Sequence, residues 1–110
     1  MATKYYKLKA EDLKDLVHSE KYCIATDKIT VDGMKVGFMY REEPEDTNDS
    51  GWRFFSGTET QEYVDDMRNA MMFSLNTIAN YDEAIIPYLK QAIGTELERD
   101  ENNQFIPLEE

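Results

Sequence analysis

The chain has 110 residues, a length typical of one domain, and 41% of them are hydrophobic, which is too many for a disordered chain. Asp and Glu outnumber Lys and Arg by 23 to 12, so the net charge is −11. Such a field repels nucleic acids and anionic lipid, which disfavours binding to either. We expect a single domain over residues 1–110 with a partner that is neither nucleic acid nor membrane.

The sequence also indicates a compartment. The amino terminus has no apolar stretch of signal-peptide length, and no apolar run approaches the roughly 20 residues of a spanning helix. Cys23 is the only cysteine and has no internal disulfide partner, which fits a reducing environment. We therefore expect a cytoplasmic protein.

Residues 10–20 have the spacing of a short amphipathic helix. Leu13, Leu16 and Val17 recur at i, i+3 and i+4, with charged residues between them. His18 falls well away from the apolar side of that helix and is expected to face water. The amino-terminal segment 1–21 is thus predicted to be helical.

The next part of the chain predicts strands. Residues 22–26 are rich in strand formers, and the runs 29–31 and 34–40 alternate around Asp32-Gly33. Asp-Gly between alternating runs favours a hairpin, because both central residues of its turn need a positive φ. The side chains expected on the core-facing side of this hairpin are Ile29, Val31, Met34, Val36, Phe38 and Tyr40.

Residues 52–56 predict a further strand. Side chains alternate along a strand, so Trp52 and Phe54 are expected to point to one face, and Arg53 and Phe55 to the other.

The carboxy-terminal half mixes helix and strand signals. The spacing of Tyr63, Met67 and Met71 is helical, whereas residues 73–78 fit a strand or a helix equally well. A last helix is predicted, with Asp82 as its cap, Pro87 in its first turn and Gly94 as its stop. Its inward-packing residues would be Ile85, Ile86 and Leu89. Residues 95–99 and 104–108 predict a final hairpin. Together these elements predict an α+β fold, a small single domain with a mainly antiparallel sheet and two or three short helices packed on one face.

No local motif for catalysis is present. The five glycines match neither a phosphate-binding loop nor a dinucleotide fingerprint, and there is no nucleophile elbow. A Cys23–His18 nucleophile pair would need the two residues to meet across one short turn and a third group to orient the imidazole, so a buried structural cysteine is the better interpretation. We therefore expect no catalytic residue, no cofactor and no enzyme activity. A carboxylate-dependent enzyme is an alternative that would need a concave pocket and a carboxyl group with a displaced pKa.

Metal binding is also disfavoured. One Cys and one His are too few for a structural zinc site. Residues 46–51 match the first half of a calcium-binding EF-hand loop, but Gly57 stands where the bidentate Glu should be and Arg53 would add a cation. A simple turn explains these residues.

The densest cluster of hot-spot residue types spans residues 49–57 and follows an acidic stretch. Trp and Arg are enriched in binding hot spots because they bury a large area and keep a polar group. The alternative is that Trp52 and Phe54 belong to the core and that a nearby carboxylate holds Arg53. The predicted partner-binding residues are Arg41, Glu42, Glu43, Glu45, Asp46, Asp49, Trp52, Arg53 and Phe55.

An ordered series of blocks carries a family resemblance. Ile24 through Asp32-Gly33, then residues 36–41, 49–57 and 76–82, resemble a bacterial family first catalogued as a domain of unknown function and later grouped with immunity protein family thirty-three of polymorphic-toxin systems. The resemblance covers residues 22–108 and leaves the segment 1–21 outside. Glu83 departs from the pattern, in which Pro often follows the Tyr-Asp pair.

The resemblance implies a small cytosolic, non-enzymatic protein that binds and neutralises a toxin. Residues 42–110 carry 17 acidic and 4 basic groups, so the leading hypothesis is an acidic protein that occludes the basic active-site cleft of a toxin domain. The alternative is a housekeeping or regulatory protein that acts through protein–protein contact or homodimerisation, for example along an unpaired strand edge.

Overall fold

Six strands form one sheet in the computed structural model, which describes residues 4–108. The strands are β1 (Tyr22–Thr26), β2 (Phe38–Arg41), β3 (Asp49–Phe55), β4 (Ala70–Ser74), β5 (Glu96–Arg99) and β6 (Phe105–Pro107). Their order is β4-β1-β3-β2-β5-β6, and every neighbouring pair is antiparallel except the parallel pair β1–β3. The predicted α+β fold with a mainly antiparallel sheet is confirmed.

The helices are all short. They are α1 (Asp27–Thr30), α2 (Gln61–Asp65), α3 (Leu75–Tyr81) and the 3₁₀ helices Ala10–Asp12, Met67–Asn69 and Glu83–Tyr88. No helix within residues 4–108 has the length and apolar character needed to cross a membrane.

One face of the sheet, here called the covered face, packs against helices to form the core. Ile29 of α1, Ile78 of α3 and Ile85 of the last 3₁₀ helix are fully buried there. The strands contribute Cys23, Ala25, Met39, Trp52, Phe54, Leu97 and Phe105 to the same cluster. The predicted burial of Cys23 is confirmed, and Trp52 and Phe54 lie in the core, as the alternative to a partner-binding Trp52 stated.

The opposite face, here called the open face, lacks this helical layer. Strand register places five side chains in a row across it: Met72, Ile24, Arg53, Tyr40 and Glu96. Phe55 lies on the same face, two residues beyond Arg53, as predicted. Helix α2 and the 3₁₀ helix after it flank this face beside β1 and β3.

The prediction of a helix over residues 10–20 was wrong. Only Ala10–Asp12 forms a 3₁₀ helix, and the rest of the segment is irregular. Backbone amides that would bond to carbonyl groups within a helix bond instead to side chains of α3. Asn76 Oδ1 accepts from the amides of Leu16 and Val17, at 2.7 and 2.9 Å. A helix this short is marginal in water, so these tertiary hydrogen bonds decide its conformation. His18 is exposed, as predicted.

The prediction of a hairpin with its turn at Asp32-Gly33 was also wrong. Residues before the dipeptide form α1, because burial of Ile29 in the core outweighs strand propensity. Gly33, with φ +79°, ends this helical turn, and its amide donates to the Ile29 carbonyl. The six residues expected on one face are therefore divided: Ile29 and Val36 lie in the core, whereas Phe38 and Tyr40 lie on the open face.

The carboxy-terminal predictions were mostly confirmed. Residues 73–78 contain both candidates, since β4 ends at Ser74 and α3 begins at Leu75. Asp82 caps the following 3₁₀ helix, and β5 pairs with β6 as a hairpin. The helix predicted from the spacing of Tyr63, Met67 and Met71 is only partly present, because strand β4 begins at Ala70. Pro87 lies near the end of its 3₁₀ helix, not in the first turn.

Candidate functional site

The geometry of β3 depends on a bulge. Tyr22 pairs with Asp49 and Ile24 with Arg53, so β3 advances four residues while β1 advances two. Gly51 lies inside this bulge with φ +86°, and a Cβ there would collide with the Glu42 carbonyl oxygen. Glycine is therefore required, and the bulge brings the carboxylate of Asp49 back toward Arg53.

Arg53 is buried between two carboxylates. Its Nη1 donates to Asp49 Oδ1 at 3.0 Å and its Nη2 to Asp49 Oδ2 at 2.8 Å, while Nε donates to Glu42 Oε2 at 2.6 Å. Arg53 is 3% exposed and Asp49 is fully buried. The alternative that nearby carboxylates hold Arg53 is thus what the structure shows.

Asp49 also anchors the acidic loop, residues 42–48. Its two carboxylate oxygens accept from the amides of Glu45 and Gly51, at 2.9 and 2.8 Å. Hydrogen bonding to Arg53, with help from these amides, holds the pKa of Asp49 well below its ordinary value. Burial disfavours the Arg53 cation, but the bonds to Asp49 and Glu42 raise the pKa of the guanidinium. Asp49 and Arg53 therefore stay charged, and the pair fixes the loop to β3.

Two other predicted partner-binding residues also serve the fold. Trp52 is fully buried, and its Nε1 donates to the Leu89 carbonyl at 2.9 Å. Arg41 is half-buried with its guanidinium 5.9 Å from the centroid of the Trp52 ring, and its Nε donates to the Ser50 carbonyl at 2.8 Å. Both side chains join the sheet to neighbouring segments.

The family block at Tyr81-Asp82 has an equivalent role. The Tyr81 hydroxyl donates to the Thr30 carbonyl and accepts from the Leu8 amide. Asp82 accepts from the Val36 amide at 3.0 Å and forms a salt bridge with Arg99, Nη1 to Oδ2 3.0 Å. These polar groups are thus occupied inside the fold, and the sequence pattern had not identified Arg99 as a partner.

The remaining predicted residues lie at the surface. Glu43, Glu45 and Asp46 are exposed on the acidic loop and make no salt bridge within residues 4–108. Phe55 is half-buried on the open face and stacks on Tyr40, with ring centroids 5.7 Å apart. Of the predicted set, these four, Glu42 and the half-buried Arg41 keep surface that a partner can reach.

A groove lies on the open face next to the Arg53 cluster. Its volume is about 320 Å³. Its apolar walls are formed by Ile24, Tyr40, Phe55, Val64, Met67 and Met72, and Glu42 and Arg53 also line it. Sequence reasoning missed most of these residues, because they come from β1, β2, β4 and the α2 region. The alternation of the strands was the one signal available for Ile24 and Tyr40.

No group of three or more His, Cys, Asp and Glu side chains within the described residues is placed to hold a metal ion. The loop that resembles half an EF-hand is a turn in which Asp46 Oδ1 accepts from the Asn48 amide at 2.8 Å.

Comparison with known proteins gives one functional indication. No curated protein and no solved structure matches the chain. The family model described as the immunity protein Imm33 domain matches residues 23–109. The match spans β3 with its bulge, the groove-lining strands and the Tyr81-Asp82 block, and it confirms the resemblance seen in the sequence. This chain therefore belongs to the Imm33 immunity protein family.

Proposed function

We propose that this protein binds a toxin and neutralises it by occlusion. The proposal rests on a contrast between two sets of charged residues in a chain of the Imm33 family: one set is paired inside the fold, and the other is exposed at the surface. The buried charges of Asp49, Arg53, Asp82 and Arg99 are paired within the fold. The exposed carboxylates of Glu43, Glu45 and Asp46 form no salt bridge within residues 4–108, and Glu42 of the same loop lines an apolar groove, so this surface is available to a second protein.

The carboxyl groups with a shifted pKa, Asp49, Glu59 and Asp66, do not have the properties of a general acid. A general acid that works near neutral pH needs a raised carboxyl pKa. Hydrogen bonds with Arg53 and Arg68 instead lower the pKa of Asp49 and that of Asp66, the latter to about 2. These carboxylates act as hydrogen-bond acceptors and do not exchange protons at neutral pH.

The charge of the chain favours a basic partner. With a net charge of −11, electrostatic attraction would accelerate association with a cationic toxin domain and would weaken as salt is added. Toxin domains that act on nucleic acids are one class with such a surface, since their substrates are polyanions.

Neutralisation can be tested by co-expression. Each reading frame next to the gene would be expressed in a bacterial host with and without this chain, and growth would be recorded. We expect one neighbouring product to arrest growth alone and to be tolerated with this chain, and the two proteins to co-elute in size-exclusion chromatography. Growth arrest that this chain does not relieve would contradict the proposal.

Self-association is a second candidate, and β4 is the observation that favours it. This edge strand, Ala70–Ser74, carries no charged side chain, so its backbone edge is not blunted against pairing. Two copies would however each bring a charge of −11, which opposes their approach. Sedimentation at several concentrations, at low and high salt, distinguishes a monomer from a β4-paired dimer.

A further inference from the structure

The groove on the open face has an excess of negative charge at its floor. The Arg53 guanidinium faces the carboxylates of Asp49 and Glu42, so this cluster has two acidic groups and one basic group. Asp49 is fully buried, but the Glu42 side chain is 48% exposed. Only its Oε2 is bonded to Arg53, and Oε1 has no hydrogen-bond partner among the described residues.

The walls above that carboxylate are apolar and aromatic. Ile24, Tyr40, Phe55 and Met72 are contributed by the sheet, and Met67 by the 3₁₀ helix that follows α2. Met67 is 88% and Met72 62% exposed, so both side chains are accessible to a second molecule. Methionine adapts its shape to an incoming group, and Tyr40 presents a ring face that attracts cations.

A partner side chain must suit both parts of this groove. Lysine and arginine combine an aliphatic stem with a cationic head, so the stem can lie against the apolar walls while the head meets a carboxylate. An anionic side chain would be repelled by Glu42, and a purely apolar one would leave Glu42 Oε1 unpaired. The volume of about 320 Å³ is at the lower limit of small-ligand pockets and suits a single side chain.

We infer that this groove receives a lysine or arginine side chain of the partner protein, whose head binds Glu42 and whose stem packs on Tyr40 and Phe55, while Met72 lines the β4 end of the groove. The inference deepens the proposed function and rests on it, because the toxin is the protein that would supply the side chain. A second copy of this chain is a poorer occupant, since it has the same charge of −11.

The chemistry of the groove can be tested without a toxin. The probes are hexylammonium, hexanol and hexanoate, which share a six-carbon stem and differ in charge. The chain would be labelled with ¹³C at its methionine methyl groups, and binding would be followed by NMR titration. Met67 and Met72 report on the groove, whereas Met39 lies in the core and Met34 lies outside the groove.

We expect hexylammonium to shift the Met67 and Met72 resonances with an affinity about three- to fivefold higher than that of hexanol, as for one partly exposed ion pair. Hexanoate should bind more weakly than hexanol. Glu42→Gln removes the charge but retains an acceptor for Arg53, and it should reduce the affinity for hexylammonium to that for hexanol. Glu101→Gln, an exposed acid on the β5–β6 turn, is the matched control and should change nothing.

Two results would overturn the inference. One is equal affinity for hexylammonium and hexanol in the unmodified protein, and the other is a shift confined to Met34 or Met39. Neither depends on a toxin, so the inference can fail while neutralisation stands. Conversely, Met72→Lys places a cation of the chain's own in the groove and should abolish protection in the co-expression assay, whereas Met34→Lys should not. Protection retained by Met72→Lys would overturn the inference and leave the proposed function intact.

Discussion

Asp49 and Arg53 lie four residues apart on the same strand, and their side chains nevertheless form a bidentate ion pair with contacts of 3.0 and 2.8 Å. A regular strand would separate their Cα atoms by about 13 Å. The bulge at Gly51 shortens that path and lets the pair close inside the protein. The loop that precedes β3 is anchored by the same carboxylate.

Removal of the Asp49 charge should destabilise the fold strongly. Asp49→Asn leaves the buried Arg53 with only Glu42 as its counter-ion, and breaking a buried pair costs about 3–5 kcal/mol. Urea denaturation should therefore show a loss of about 3 kcal/mol in the free energy of unfolding. Asp15→Asn, at an exposed position, is the control and should change this value by less than about 0.5 kcal/mol. Equal effects of the two substitutions would refute the structural role of the pair.

The same pair makes stability depend on pH. The pKa of Asp49 is lower in the folded state than the ordinary value near 3.9, so the unfolded state binds more protons in acid. Its stabilising contribution is complete above about pH 5 and is lost as the pH falls toward the lowered folded pKa. Urea midpoints between pH 7 and pH 3 should decline more steeply for the unmodified protein than for Asp49→Asn. Parallel declines would show that Asp49 is not responsible.

Gly51 and Gly94 provide a matched pair of glycines. Both have positive φ, but a Cβ at Gly51 would strike the Glu42 carbonyl, whereas nothing lies within 4 Å of one at Gly94. Gly94→Ala should cost only the backbone strain, about 1–2 kcal/mol. Gly51→Ala should cost clearly more, because the β2–β3 pairing must also move. Thermal denaturation of both variants would measure the difference, and a smaller loss at Gly51 would contradict the bulge geometry.

Cys23 should be unreactive in the folded protein. Its side chain is fully buried, and burial raises the pKa of the thiol, so little thiolate is available to reagents. A disulfide reagent at mildly alkaline pH should react at least about a hundredfold faster in concentrated guanidinium chloride than in buffer. The variant Cys23→Ala/His18→Cys, with its thiol at an exposed position, should react rapidly in both. Fast modification of native Cys23 would indicate that β1 opens readily.

Association with a toxin should depend on the acidic loop. The triple variant Glu43→Lys/Glu45→Lys/Asp46→Lys should lower the association rate about tenfold or more at low salt, with a smaller effect at high salt. The control Glu11→Lys/Asp15→Lys/Glu20→Lys changes the net charge equally at exposed positions of the amino-terminal segment. Surface plasmon resonance at several salt concentrations would separate local from overall charge effects. Equal rates for the two triple variants would exclude the loop as the contact surface.

Local sequence signals determined the elements whose contacts are local. The alternation that separates Trp52 and Phe54 from Arg53 and Phe55 requires only strand geometry, and the last hairpin and the Asp82 cap require only neighbouring residues. The family could likewise be identified from the order of its blocks, because that order is a property of the sequence.

Only the tertiary structure decided the rest. The segment 13–21 does not form the helix that its pattern predicts, because Asn76 and Asn80, some 60 residues away, bond to its amides. Asp32-Gly33 follows the end of helix α1 and does not form the turn of a hairpin, because the nearby Ile29 is buried in the core as part of that helix. The groove combines four separate parts of the chain, and no spacing in the sequence encodes that meeting. The physical reason is the same in each case: the free energy of long-range burial and hydrogen bonding exceeds the small local preferences that a sequence pattern reports.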